Sequence, residues 1–278
     1  MKVLILGCRG RLGTELMGAY SDVNPVGWGR EDLDVTDEQA VWDRISELKP
    51  DLVYNCTGYN DVDKAEEERE KAEAINGYAP GYVAKACKAV GAKLIHYSSG
   101  MVFDGQNSEG YAEDDPTHPI NAYGRSKLLG EMEAQENADD IYVIRTSWLY
   151  GKPGTSEHSK KSFIEAMLEK GKAGGSITVA EDEIGRPTYT LDLAQASRAL
   201  VEEAREFGVY HIVNTGVASR LDWAREIFAS AGVKAELKAM KGNALARMAR
   251  RPHYEVLNNT KFLELRPWVE ALREYLGK

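Results

Sequence analysis

The chain has 278 residues, of which 43% are hydrophobic and 28% are charged, a composition that allows one large globular domain with a smaller lobe. Its net charge of −9 and the lack of any apolar run near the ~20 residues of a membrane helix disfavour nucleic-acid and membrane partners. The three cysteines are an odd number without short pairings, which argues against a disulfide framework and favours a cytoplasmic location.

Apolar runs alternate with helical stretches along the first half of the chain. Such runs predict strands covered on both faces at residues 3–6, 26–28, 52–56, 93–97 and 141–146. Helices are predicted between them at residues 12–20, 37–48, 61–71, 79–90 and 123–135, and a helix at 162–169 and a strand at 176–179 follow. Thr36 or Asp37 is placed to cap the second helix. This order predicts an α/β fold with a Rossmann-type, doubly wound, mostly parallel sheet.

Three glycines with regular spacing lie where the first predicted strand meets the first helix. A tight turn there needs a residue that tolerates positive φ, and a pyrophosphate needs close backbone approach and a helix N-terminus. A glycine triplet at this junction therefore predicts dinucleotide binding, and two arginines within it are placed to contact a phosphate. The predicted cofactor-binding residues of this turn are Gly7, Arg9, Gly10, Arg11, Leu12 and Gly13.

The segment after the second predicted strand bears on the choice of dinucleotide. A basic residue there accommodates the 2′-phosphate of NADPH, whereas an acidic residue favours NADH. Arg30 stands at this place and favours NADPH, but the adjacent Glu31 leaves NADH possible. Asp34 and Val35 are expected to lie near the adenine.

From about Pro153 onward the alternation of strands and helices loosens. We expect residues 1–150 to form the dinucleotide-binding domain, with returning segments near residues 176–215. Residues 151–278 are expected to form a smaller C-terminal substrate-binding lobe that interleaves with the sheet domain.

Tyr123 and Lys127 are four residues apart in a predicted helix and therefore share one face. A nearby ammonium group stabilises a phenolate, so Lys127 is expected to lower the pKa of Tyr123 towards the working range of an acid–base group. Lys127 is also placed to hold the nicotinamide ribose. Ser99 lies at the end of a predicted strand and is a candidate hydrogen-bond donor to a substrate carbonyl.

These motifs resemble the extended short-chain dehydrogenase/reductase family and, within it, the dTDP-4-dehydrorhamnose reductases. The similarity covers nearly the whole chain, and R-T-S-W-L-Y-G with a downstream G-x-P-T is its most specific part. It is carried by residues 7–13, 63–66, 102–105, 123–127, 145–151, 185–188 and 251–252.

The resemblance implies a role for each matching position. Ser99, Tyr123 and Lys127 match the catalytic residues, and the last two also match cofactor contacts. A loop beside the cofactor matches Cys56, Thr57 and Gly58. The positions on the sugar or nucleotide-sugar side are Ser99, Met101, Trp148, Arg186 and Arg251.

The implied activity is hydride transfer from NADPH or NADH to the C4 ketone of dTDP-4-dehydro-L-rhamnose. Ser99 would bind the carbonyl oxygen and Tyr123 would protonate it, with Lys127 tuning the phenol. No metal is implied, and the chain is expected to act as a monomer or homodimer on a nucleotide-sugar.

The chain departs from the family pattern at two places. Gly100-Met101 stands where the family usually has Asp-Tyr, and Glu255 stands where it often has a small hydroxyl residue. These departures leave open a reductase or epimerase for another nucleotide-sugar. A non-catalytic regulatory subunit like the methionine adenosyltransferase beta subunit is a further alternative.

Overall fold

The computed structural model of the protein describes residues 1–156 and 160–278. The helices are α1 (Arg11–Ala19), α2 (Glu38–Leu48), α3 (Arg69–Glu73), α4 (Ala79–Val90), α5 (Ala122–Asn137), α6 (Phe163–Ala173), α7 (Thr190–Glu202), α8 (Arg220–Ala231) and α9 (Trp268–Tyr275). The first nine strands are β1 (Val3–Leu6), β2 (Val26–Trp28), β3 (Leu52–Asn55), β4 (Lys93–Ser99), β5 (Ile141–Thr146), β6 (Leu149–Tyr150), β7 (Ser176–Ala180), β8 (Ile184–Gly185) and β9 (Thr188–Tyr189). They are followed by β10 (Gly208–His211), β11 (Asn214–Thr215), β12 (Ala218–Ser219), β13 (Glu236–Met240), β14 (Tyr254–Glu255) and β15 (Leu265–Pro267).

Six strands form one parallel sheet in the order β10-β5-β4-β3-β1-β2. Apolar side chains of α1 and α7 cover one face of the sheet, and those of α2, α4 and α5 cover the other. Strands covered on both faces are mostly apolar, and β1, β3 and β5 are buried along their whole length. The Rossmann-type, doubly wound sheet is therefore confirmed.

The direction of strand addition reverses at β1, because β2 lies on one side of it and β3 on the other. In an open parallel sheet, such a switch point opens a crevice at the carboxyl ends of the strands. The segments that follow β1, β3 and β4 therefore meet at this edge of the sheet.

The acidic stretch predicted as one helix over residues 61–71 is instead broken into a short turn at Lys64–Glu66 and the start of α3 at Arg69. Asp61 accepts a hydrogen bond from the Lys64 amide at 3.2 Å, and Asp63 accepts one from the distant Ala249 amide at 3.0 Å. Carboxylates that bind backbone amides in this way compete with helix formation. The second helix begins as predicted, with Asp37 rather than Thr36 as its cap.

A smaller set of strands lies outside the main sheet, around a core that includes Trp148 and Trp223. Of the segment 176–215, α7 and β10 return to the main sheet, whereas β7 pairs with β13. The residues of β7 alternate between exposed and buried in its first half, a pattern typical of a strand with one solvent face. None of the helices within residues 1–156 and 160–278 is long and apolar enough to cross a membrane.

Candidate functional site

The glycine turn follows β1 at the switch point of the sheet. Gly7 has a φ of +73°, and a Cβ atom there would lie 3.0 Å from the carbonyl carbon of Cys56. A Cβ atom on Gly13 would overlap the carbonyl oxygen of Gly7. The turn is therefore closed so tightly that only glycine fits at both positions. Helix α1 begins immediately afterwards and directs its first N–H groups, which have no partner within the helix, towards the crevice.

The other predicted residues of this turn make contacts within the protein. Leu12 is buried in the core, so only its backbone faces the crevice. Arg11 donates hydrogen bonds to the Gly151 carbonyl and, at 2.6 Å, to Glu165. Its guanidinium group therefore joins α1 to the segment after β6 and to α6, rather than extending freely into the crevice.

Arg9 connects the glycine turn to the loop after β2. Its guanidinium group donates to Glu31 at 2.5 Å and to Asp32 at 3.4 Å. Asp32 also accepts a hydrogen bond from the Gly29 amide at 2.8 Å, which fixes the loop. Arg9 is thus already neutralised by carboxylates, whereas Arg30 in the same loop is exposed.

Asp34 and Val35 lie further along this loop. Asp34 accepts two hydrogen bonds from Thr36, and these hydrogen bonds lower the pKa of its carboxyl group. Val35 is buried in the core on the α2 side of the sheet. Both residues therefore shape the loop at the edge of the crevice.

The loop after β3 is anchored by two asparagines that the sequence analysis did not single out. The Asn55 side chain accepts hydrogen bonds from the amide of Thr57 at 3.2 Å and from its hydroxyl at 2.5 Å. Asn76 binds the amide and carbonyl of Tyr59 at 2.7 and 3.0 Å. Cys56 and Gly58 are thereby held beside the glycine turn, and burial raises the pKa of the Cys56 thiol.

The three predicted catalytic residues lie at the end of β4 and on the first turns of α5. Tyr123 is half-buried, and burial raises its pKa to about 12, although a hydrogen bond with Ser99 acts in the opposite direction. Lys127 is 4% exposed and donates to the Tyr97 carbonyl at 2.6 Å, and burial lowers its pKa to about 8.

The expectation that Lys127 lowers the pKa of Tyr123 is wrong in the direction of the shift. Burial of the phenol outweighs the other influences, and the nearby charge of Glu255 raises the pKa further. Tyr123 is consequently a neutral phenol at physiological pH. That state suits a group that donates a proton.

Helix α5 is held at its start by two side chains. Asn121 accepts a hydrogen bond from the Gly124 amide at 2.7 Å and donates to the Arg250 carbonyl at 2.9 Å. Glu66 accepts one from the Ala122 amide at 2.8 Å, so this residue of an acidic run has a structural role. The 63–66 motif thus positions Tyr123 through the first turn of α5.

Trp148 lies between β5 and β6 in the left-handed backbone region, with a φ of +46°. Such a conformation costs about 1–3 kcal/mol for a non-glycine residue and is found disproportionately at functional sites. Its Nε1 atom donates to Glu255 at 3.0 Å, and the guanidinium carbon of Arg220 stacks 3.6 Å from the indole centroid. The sequence did not indicate that Arg220 contacts Trp148.

The remaining predicted substrate-side residues occupy separate positions. Met101 is buried, with its sulfur 3.9 Å from the Asn121 side chain. Arg186 donates to Asn258 at 3.1 Å, and burial lowers the pKa of its guanidinium group. Arg251 is paired with Asp63 at 2.9 Å, which joins residues 249–251 to the loop after β3.

The described ranges contain no group of three or more His, Cys, Asp or Glu side chains that could hold a metal ion. At the carboxyl edge of the sheet they place the glycine turn after β1 and, at the end of β4, Ser99 beside Tyr123. This arrangement can hold a dinucleotide and supply a proton to a bound carbonyl oxygen.

Comparison with known proteins agrees with this arrangement. The chain is 38% identical to the dTDP-4-dehydrorhamnose reductase of Mycolicibacterium smegmatis, over 98% of this chain and 84% of that protein. It is 36% identical to a protein of Streptomyces antibioticus named "Probable dTDP-4,6-dihydroxy-2-methyloxan-3-one 4-ketoreductase", over 99% of this chain and 94% of that protein. The crystal structure of dTDP-4-dehydrorhamnose reductase from Bacillus anthracis in complex with NADP matches with a TM-score of 0.93 and 34% identity, covering 99% of each chain.

The family defined by the RmlD substrate binding domain matches residues 1–278, the whole of the chain. The relatives at 36–38% identity cover nearly all of the chain as well. The chain therefore belongs to the RmlD substrate binding domain family, in agreement with its resemblance to the dTDP-4-dehydrorhamnose reductases.

Proposed function

We propose that this protein reduces the C4 ketone of dTDP-4-dehydro-L-rhamnose to give dTDP-L-rhamnose, with NADPH as the hydride donor. The observation that carries the proposal is the placement of Tyr123 beside Ser99 at the carboxyl edge of the sheet, with Lys127 buried one turn further along α5. The reductase from Mycolicibacterium smegmatis and the NADP-bound structure from Bacillus anthracis support the substrate and the cofactor.

A nicotinamide dinucleotide fits the glycine turn. A Cβ atom on Gly13 would fill the space next to the Gly7 carbonyl, and the first N–H groups of α1 suit an anionic pyrophosphate. Arg30 is the exposed cation of the loop after β2, which favours NADPH through its 2′-phosphate, and the acidic Glu31 leaves NADH as a weaker alternative. The residues that would hold the dinucleotide are Gly7, Arg9, Gly10, Arg11, Leu12, Gly13, Arg30, Asp34, Val35, Cys56, Thr57, Gly58, Tyr123 and Lys127.

NADPH supplies the hydride, and the protein supplies orientation and the proton. Ser99 hydrogen-bonds the carbonyl oxygen of the sugar and keeps it beside the phenol. Tyr123 then donates its proton to that oxygen as negative charge develops on it. Lys127 carries a buried positive charge that favours the phenolate left behind and holds the nicotinamide ribose.

In this proposal residues 1–150, with the returning α7 and β10, hold the nucleotide, and residues 151–278 supply the substrate-binding lobe. Trp148, Met101, Arg186 and Arg251 contribute the sugar and nucleotide-sugar side. The three unpaired cysteines support a cytoplasmic location, and the protein acts as a monomer or homodimer.

A reductase for a different nucleotide-sugar is the second candidate. The Gly100-Met101 and Glu255 departures favour it, as does the 36% identity to the Streptomyces antibioticus protein. The two candidates share the cofactor and the proton donor and differ only in the sugar.

The decisive experiment follows NADPH oxidation at 340 nm with dTDP-4-dehydro-L-rhamnose and a panel of other 4-keto nucleotide-sugars. We expect turnover of the rhamnose precursor and a loss of about 100-fold or more in kcat for Tyr123→Phe, because the proton donor is removed. Tyr78→Phe, at a tyrosine that is 45% exposed, is the matched control. Turnover confined to another sugar would select the second candidate. No turnover of any sugar, with NADPH bound, would indicate a regulatory subunit.

A further inference from the structure

We propose that Glu255 is a specificity-determining residue whose carboxylate binds a hydroxyl group of the substrate's sugar ring. The inference rests on the proposed function of the crevice as a nucleotide-sugar site. It is carried by the position of Glu255 next to Gly100, by its incomplete hydrogen bonding and by its contact with Trp148.

Glu255 belongs to the wall of the catalytic crevice. A Cβ atom on Gly100 would lie 2.8 Å from Cγ of Glu255 and 3.2 Å from its Oε1 atom. Gly100 directly follows Ser99, the residue that hydrogen-bonds Tyr123. The Glu255 charge also acts on Tyr123, which is a second sign that the carboxylate lies close to the reacting groups.

The Glu255 carboxylate is buried without a full set of partners. It is 4% exposed, and its Oε2 atom accepts a hydrogen bond from Trp148 at 3.0 Å. Its Oε1 atom accepts no hydrogen bond within residues 1–156 and 160–278, and it is not one of the enclosed polar atoms that lack a partner there, so this oxygen is accessible to a ligand. Arg220 stacks on the Trp148 ring, and its ion pair in the described residues is with Glu183, at 3.9 Å. Burial and the charge of Glu183 raise the pKa of Glu255, whereas the positive charges of Arg220 and Arg251 favour its ionised form without hydrogen-bonding it.

Glu131 is a buried glutamate of the same molecule whose carboxylate is fully hydrogen-bonded, and it serves as a comparison for Glu255. It is 2% exposed, and both of its oxygens accept hydrogen bonds from the guanidinium group of Arg145, at 2.7 to 3.2 Å. A buried carboxylate that lacks such satisfaction carries an energetic cost unless a ligand supplies a donor. Glu255 has the unsatisfied arrangement, and Glu131 does not.

The chemistry of the missing donor identifies the part of the ligand. A carboxylate repels a diphosphate, whereas it binds a sugar hydroxyl as a strong charge-assisted acceptor. The Trp148 Nε1 atom holds the other oxygen of the carboxylate, so Oε1 keeps a fixed direction towards the ligand. Glu255 and Trp148 together therefore suit the sugar and not the nucleotide.

Gly100 and Glu255 are also coupled to each other. The side chain of Glu255 occupies the space that a side chain on Gly100 would need. These are two of the positions at which the sequence departs from the family pattern, which usually has Asp at position 100 and a small hydroxyl residue at 255. The chain thus places a carboxylate in the same corner of the crevice from β14 instead of from the end of β4.

The test is a mutant cycle with Glu255→Ser, Gly100→Asp and the double variant, measured by calorimetry with dTDP-L-rhamnose and with dTDP, which lacks the sugar. Glu255→Ser should weaken binding of dTDP-L-rhamnose by about 10-fold or more and leave the Kd of dTDP unchanged. Gly100→Asp should weaken the binding of dTDP-L-rhamnose further, because the new Asp side chain collides with that of Glu255. The double variant should recover most of the affinity, since the carboxylate then enters from position 100.

Glu255→Gln adds a readout that a packing role does not move. In the wild-type protein, the affinity for dTDP-L-rhamnose relative to dTDP should increase as the pH rises through about 7, where burial places the pKa of Glu255. In Glu255→Gln only the pH dependence that comes from the terminal phosphate of dTDP, with a second pKa of about 6, should remain, so the difference between the two proteins isolates the titration of Glu255. Glu181→Gln, at a partly exposed glutamate, is the control for loss of a negative charge.

The proposal would be overturned if the ratio of the Kd for dTDP to the Kd for dTDP-L-rhamnose were the same in the wild-type protein and in Glu255→Ser. It would also be overturned if the double variant bound dTDP-L-rhamnose no more tightly than Gly100→Asp does. Because binding is measured without turnover, a protein that binds dTDP-L-rhamnose and reduces no sugar would contradict only the proposed activity. A protein that reduces the sugar and is indifferent to Glu255 would contradict only this inference.

Discussion

The two ends of the crevice are built in different ways. The proposed cofactor end consists of backbone, with glycines of one short segment, Gly7 and Gly13, closing the turn against the residues after β3 and the start of α1. The proposed substrate end consists of side chains from distant segments, with Trp148 and Glu255 separated by 107 residues. At the first end an added side chain has no room. At the second end the sugar specificity depends on which strand supplies the polar side chain.

The largest expected effect breaks the backbone end. Gly13→Ala places a Cβ atom against the Gly7 carbonyl and the Cys8 backbone, which are parts of the main chain and cannot rotate away. We expect a loss of about 100-fold or more in NADPH affinity and of about 3 kcal/mol in the free energy of unfolding. Fluorescence titration with NADPH and urea unfolding measure the two quantities.

Gly18→Ala is the matched control in the same helix. A Cβ atom on Gly18 meets no atom within 4 Å, so the helix gains stability by about 0.5–1 kcal/mol without affecting the turn. If both variants bind NADPH equally, the close packing of the turn has no part in cofactor binding.

The second prediction concerns the side-chain end and its dependence on pH. Burial raises the pKa of Glu255 from 4.5 to about 7, so between these values the folded protein binds a proton that the unfolded chain has lost. Stability contributed by this group therefore falls as the pH rises from about 4.5 to 7. Glu255→Gln lacks this titration.

The stability of Glu255→Gln relative to wild type should increase by about 3 kcal/mol between pH 5 and pH 8. Urea unfolding at both pH values measures the change, with Glu181→Gln as the control. A constant difference between Glu255→Gln and wild type would mean that the Glu255 carboxylate is solvated and does not close the sugar end of the crevice.

The contrast between the two ends also explains what the sequence can predict. The glycine turn, the alternation of strands and helices and the pair on α5 depend on local spacing and periodicity, and these features could be predicted from the sequence. The direction of the Tyr123 pKa shift depends on burial, which no spacing reveals. Arg220 and Asn76 act across long separations, so their contributions emerge only from the folded chain.

The acidic stretch after β3 is the clearest failure of local reasoning. Its composition favours a helix with a solvated face, yet Asp63 and Glu66 bind backbone amides of Ala249 and Ala122. Tertiary partners 56 and 186 residues away in sequence thus outweigh helix propensity. The stretch predicted as one helix in fact joins residues 249–251 to the first turn of α5.

The smallest expected effect distinguishes the two arginines near the adenosine end of the cofactor site. Arg30→Ala should raise the KM for NADPH about fivefold and leave that for NADH nearly unchanged, because an exposed arginine contributes about 1 kcal/mol to binding a phosphate. Arg9→Ala should change the ratio of the two KM values less, since Glu31 and Asp32 already neutralise its charge. Steady-state rates with both cofactors give the ratio. A larger change in that ratio for Arg9→Ala would mean that Arg9 leaves its carboxylate partners to bind the 2′-phosphate, and that side chains as well as backbone build the cofactor end.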